Sequence, residues 1–180
     1  MDKVNPEETI NLLGWSLGGN IALAIASLLE SQGYKNINVI LLDTVIADEE
    51  IKQRRTKQSP GENLTWFNSR GMDSHHKARL QLLQSVETSL SSQKPEQKLR
   101  QSRVILYKAT LIDKRTTYTS NMSEYVIHLN DNNLADYCEK LGVINIEASH
   151  NNIHESEDVA RLSKWALDNY EESEPIIFST

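Results

Sequence analysis

The sequence predicts an α/β fold on a mostly parallel sheet, and three observations carry that prediction. Residues 10–43 read as strand, helix, strand, with the length of a parallel crossover. Apolar, β-branched segments return after residue 101. Between these two regions lies a long polar stretch without sheet-like character.

The first strand is Ile10-Asn11-Leu12-Leu13, a short apolar run that stops at Gly14. After Gly18-Gly19-Asn20 comes IALAIASLLESQG, rich in Ala and Leu and closed by Gly33, which reads as a buried helix with a glycine terminator. Asn36–Leu42 is a β-branched, apolar second strand ended by Asp43. From Ala47 to about Gln101 the chain is polar and is broken at Ser59-Pro60-Gly61 and Lys94-Pro95. Within it Ala78–Leu90 sets Leu80, Leu83 and Val86 on one helical face. Residues 47–101 are therefore expected to be a lid-like helical insertion within a single domain over residues 1–180. Ser102–Ala109 is the next strand, Asn133–Leu141 a short helix or turn, and Gly142–Glu147 the last strand. Asp158–Tyr170 is an amphipathic helix with Val159, Leu162, Trp165 and Ala166 on one stripe, and the tail from Glu171 is expected to fray.

Composition narrows the function classes. The 180 residues are 38% hydrophobic and 24% charged, ordinary for a globular protein. A net charge of −6 speaks against general affinity for nucleic acid or anionic membranes. No apolar run approaches the ~20 residues of a membrane span, and the N-terminus has no signal-peptide pattern. The single cysteine, Cys138, cannot form an internal disulfide and reads as an inert thiol. A reducing, cytoplasmic setting is the default expectation.

The chemistry centres on Gly14-Trp15-Ser16-Leu17-Gly18, a G-x-S-x-G sequence set between the first strand and the first helix. Such a turn is tight, so Gly14 and Gly18 are expected to supply room, and Gly19 to let the helix approach a strand. It presents the Ser16 hydroxyl at a helix N-terminus, where the Leu17 N–H points at a developing oxyanion. The plainer reading is a chance glycine-serine turn, which the flanking strand and Ala-rich helix argue against.

A serine nucleophile needs a base, and the base an orienting acid. Asp43 ends a strand directly, where its side chain would enter the crevice at the strand end. Asp113, just past another strand in LIDK, is the second candidate, with a solvated turn acid as its plainer reading. Of five histidines, His75 and His76 lie in the polar middle and His128 follows Val126-Ile127 on what reads as a strand-like edge. His150 follows the last strand and precedes the final helix, the expected place of the base. His150 and His154 could pair on a metal, but HNNIH lacks the glutamate of H-E-x-x-H, so no metal is expected.

Three segments, GWSLGGNIALAIASLLESQG, VILLDT and EASHNNI, resemble the terminal thioesterase domain of nonribosomal peptide synthetases, within the α/β-hydrolases. The resemblance spans most of the chain but is specific only there. In that family the acid follows the strand next after the nucleophile helix; here Asp43 lies 27 residues after Ser16. The resemblance implies that Ser16 accepts an acyl or peptidyl chain from the phosphopantetheine of a carrier domain, with His150 as base and Asp43 orienting it. Release would be by hydrolysis or cyclisation, with no cofactor of its own. Departures exist: Ala148 stands where the family's histidine motif has glycine, and only fifteen residues precede Ser16. The chain is thus expected to lack early strands, expose an apolar sheet edge and lack a second oxyanion donor, leaving the fragment alone weakly active or inactive. An ordinary carboxylic ester hydrolase using Asp113, or a catalytically silent interaction module, are the competing readings.

Overall fold

The computed structural model describes residues 8–56, 94–115 and 117–168. The predicted Ala78–Leu90 helix, His75, His76 and most of the lid-like insertion lie outside these residues. The described elements run in order: β1 (Ile10–Trp15), α1 (Leu17–Ser31), β2 (Ile37–Leu42), α2 (Glu49–Thr56), β3 (Leu99–Leu111), α3 (Thr117–Val126), β4 (Cys138–Ser149), a short 3₁₀ turn (Ile153–Glu155) and α4 (Glu157–Asp168).

The four strands form one sheet in the order β1-β2-β3-β4, and every neighbouring pair is parallel. This matches the parallel-sheet, α/β-hydrolase-type fold class that the sequence predicts. Strand β2 is covered on both faces, so its sequence runs apolar rather than alternating. In β2, Ile37, Val39 and Leu41 pack on one side with Ala22, Leu23 and Ala26 of α1. Ile40 and Leu42 point the other way, toward Tyr107, Ile144, Ile146 and Val159 of α4. Of the predicted α4 stripe, Val159 is buried; the side chains of Leu162, Trp165 and Ala166 lie outside the described set. A third apolar cluster joins Ile51 of α2 to Val126 of α3.

β3 begins three residues before the predicted Ser102, at Leu99. Its pairing with β2 begins only at Asn38 opposite Arg103. The amides ahead of that point are taken by the Glu30 carboxylate at the end of α1. One oxygen accepts from Arg100 N at 2.9 Å, the other from Gln101 N at 3.0 Å and Ser102 N at 2.6 Å. A charged side chain thus continues the ladder where strand partners run out.

Two local expectations are corrected. Of the expected short helix or turn over Asn133–Leu141, the turn holds as far as Tyr137, but β4 starts at Cys138, because Cys138 pairs opposite Leu99. Tertiary pairing here overrides a helix-like composition. His128 is on no strand edge; it sits in the turn closing α3, its N–H donating to Tyr125 O at 3.2 Å. Cys138 is buried, and burial pushes its thiol up to about 12.

Candidate active site

The carboxyl ends of β1, β2 and β4 lie at the same end of the parallel sheet, with β3 between β2 and β4, and each delivers one of the residues singled out from the sequence. Ser16 follows β1 directly. It adopts φ 52° and ψ −120°, a conformation that L residues rarely hold. The turn is fixed by Ser16 N donating to Leu42 O at 3.0 Å and Gly19 N donating to Ser16 O at 3.0 Å. Thr44 Oγ1 adds a third bond to Ser16 O at 3.2 Å. Leu17 opens α1, so its N–H belongs to the unpaired donors of a helix start.

The glycines do not share the work as the motif suggests. A Cβ on Gly14 would lie 2.4 Å from backbone atoms of Gly18 and Gly19, and one on Gly19 would lie 1.8 Å from Thr44 Oγ1. At Gly18 a Cβ meets nothing within 4 Å. The crowding falls on Gly14, as expected of the turn, and on Gly19, as expected of a close helix approach; Gly18, expected to share the turn with Gly14, faces open space.

Asp43 ends β2, is buried, and also holds a positive φ of 44°. His150 Nδ1 lies 2.8 Å from Asp43 Oδ2, and His150 Nε2 lies 3.1 Å from Ser16 Oγ. Ser16, His150 and Asp43 are therefore brought together in one hydrogen-bonded chain. With Asp43 ionised, Nδ1 donates and Nε2 is left to accept from the serine hydroxyl. The other carboxylate oxygen, Oδ1, accepts from Ala109 N at 3.1 Å and from Asn132 Nδ2 at 3.2 Å. Lys108 is buried nearby, its Nζ donating to Ile127 O at 2.9 Å. Burial pushes its pKa down, and the charge of Asp43 partly opposes this.

Asp113 is not the solvated turn acid that its setting suggests. It is only 4% exposed and is bound by the Arg115 guanidinium at 3.1 Å and by the Asn151 side-chain amide. The pairing makes burial tolerable. Its carboxylate thus holds the residue next to His150, whereas Asp43 holds His150 itself. His154 does not join His150: its ring lies tilted against Trp15, the centroids 5.0 Å apart, and His150 faces Asp43 and Ser16. Trp15, the variable residue of the motif, donates its indole N–H to His150 O at 3.0 Å. Sequence reasoning missed Asn132, Trp15 and Thr44 as site residues. The run Asp131-Asn132-Asn133 signals a turn, but nothing local says that it reaches Asp43.

A family model described as "Thioesterase domain" matches residues 1–161. A search of curated proteins finds no match. Among solved structures, the chain is similar to the Vlm2 thioesterase domain bound with a dodecadepsipeptide, at 16% identity and a TM-score of 0.54, over 91% of this chain and 68% of that one. It is also similar to the thioesterase domain SrfTE, studied for cyclization of the lipopeptide antibiotic surfactin, at 15% identity and a TM-score of 0.51, over 93% of this chain and 69% of that one. At these identities the likeness is one of fold.

Proposed function

Because the chain belongs to the thioesterase domain family, we propose that Ser16 is the nucleophile of a thioester-cleaving reaction, with His150 as its base and Asp43 as the orienting acid. The observation that carries this reading is the chain Ser16 Oγ–His150–Asp43, with separations of 3.1 and 2.8 Å.

The Ser16 oxygen attacks the thioester carbonyl as its proton passes to His150 Nε2. Asp43 remains ionised and stabilises the imidazolium. Charge on the carbonyl oxygen is met by the Leu17 N–H and the positive end of α1. Collapse breaks the carbon–sulfur bond, and the thiolate takes the proton from His150. Water, or a hydroxyl or amine of the acyl chain, then attacks the acyl-serine with His150 again as base, giving an acid or a ring. The substrate class is an acyl or peptidyl chain on the phosphopantetheine of a carrier domain. Support for that class comes from the family and from neighbours whose names concern depsipeptide binding and lipopeptide cyclization.

The test uses the purified chain. A fluorophosphonate probe is expected to label it, and a phosphopantetheine-linked acyl thioester to be turned over. Both are expected to vanish in Ser16→Ala. Absence of labelling in the unaltered chain would favour a silent, hydrolase-like interaction module instead.

A further inference from the structure

We propose that Asn132 is a positioning residue for this reaction, its side-chain amide holding the Asp43 carboxylate turned toward His150. The inference rests on the catalytic reading above but has a test of its own.

Asn132 lies in the turn between α3 and β4, far in sequence from Asp43, and is fully buried. One nitrogen makes two contacts there: Nδ2 donates to Asp43 Oδ1 at 3.2 Å and to Thr44 O at 3.1 Å. Both partners are acceptors, so the orientation of the amide is unambiguous. The residue after Asp43 is thus gripped by its backbone, and Thr44 in turn donates to Ser16 O. The turn itself is anchored by Ile46 N donating to Asn132 O at 3.0 Å.

The choice of side chain is informative. Asn132 has φ 52° and Asn133 φ 63°, a region in which Asn is among the few tolerated residues. Glycine would suit the backbone at least as well, so the conformation alone does not call for the amide. Its Oδ1 finds no hydrogen-bond partner among the described residues. A buried amide with one unpaired end costs stability, and what its other end does is bind Asp43.

The groups facing Asp43 divide the work. His150 takes Oδ2. Lys108 lies on β3, but its amine is directed to the Ile127 carbonyl. Asp48 is a further negative charge near this turn, held by Asn133 Nδ2 at 3.1 Å and Tyr125 at 2.7 Å. Beside the Ala109 amide, Asn132 is then the donor that keeps Oδ1 from rotating away. Unlike a carboxylic acid, an amide donates at every pH.

That difference supplies the experiment. Asn132→Gly keeps the positive φ and removes the donor. Asn132→Asp replaces it with a group that donates only when protonated and repels Asp43 when ionised, so the pair would share one proton. For Asn132→Gly, kcat on a phosphopantetheine-linked thioester is expected to fall by about tenfold to a hundredfold with KM unchanged. The far-downfield Nδ1–H proton resonance of His150 is expected to vanish with it. For Asn132→Asp, the activity deficit is expected to be small on the acid side and to deepen as pH rises. Unchanged kcat with an intact resonance in Asn132→Gly would overturn the proposal, as would a pH-independent deficit in Asn132→Asp. If the glycine variant fails to fold, the aspartate variant decides alone. If the unaltered chain turns over no thioester while the resonance behaves as stated, the catalytic reading fails, and only the hold of Asn132 on the Asp43–His150 pair is left standing.

Discussion

Two buried carboxylates lie on either side of the His150 segment, and single-atom changes separate them. Asp43→Asn keeps the shape but turns a donor toward Nδ1, so the imidazole is held in the wrong tautomer. Thioester turnover is expected to fall by on the order of 10⁴. Asp113→Asn alters the Asn151 and Arg115 contacts and leaves the Asp43–His150 bond in place, so a far smaller loss in turnover is expected. A steady-state assay of both variants checks the pair; the reverse ranking would make Asp113 the acid. The glycines separate in the same way. Gly14→Ala drives a methyl into the backbone of Gly18 and is expected to abolish folding or labelling, whereas Gly18→Ala enters open space and is expected to retain both. The motif spelling makes these two glycines look alike, because letters record which residues lack a side chain and not which neighbours demand it.

At the level of elements, α1 is held by its packed face and by its last turn. Leu23 is fully buried against β2 and β3, and Leu23→Ala is expected to cost about 2–5 kcal/mol in denaturant unfolding. Glu30 is a subtler anchor. Burial raises its pKa, but hydrogen bonds from Ser102, Arg100 and Gln101 outweigh this and hold it below its ordinary 4.5. A carboxylate depressed in the folded state stabilises above its unfolded pKa, and that stability is lost as pH falls through the folded value. Glu30→Gln is therefore expected to lower Tm near neutral pH, and the gap to the unaltered chain to close as pH drops below about 4.5. Both ends of α1, all four strands and α4 were legible from apolar runs and glycine stops. The helix α3 was not, since TYTSNMSEYV has few apolar residues and packs through Met122, Tyr125 and Val126 onto α2, a long-range contact. The start of β4 was hidden for the same reason: Cys138-Glu139-Lys140 becomes strand only because Leu99 lies opposite. Ser16, Asp43 and His150 could be singled out because strand ends are visible in sequence. Asn132 could not, since its partner lies 89 residues away.

Over the whole molecule, the sheet is unevenly covered among the described residues. Leu13 of β1 is 64% exposed, and Ile21, Ile25 and Leu28 extend the same apolar character along the outside of α1. Such a surface promotes association. Replacing Ile21, Ile25 and Leu28 by lysine is expected to shift sedimentation toward the monomer while leaving Tm within a few degrees. Three of the four strands feed residues to a single end of the sheet, so the site brings together positions up to 134 residues apart. Trp15 makes that closure visible to light. Its indole bonds to the carbonyl of His150 across 135 residues and lies tilted against two imidazoles. With Trp66 and Trp165 replaced by phenylalanine, its emission becomes a private optical gauge of whether the serine and histidine ends of the chain have met.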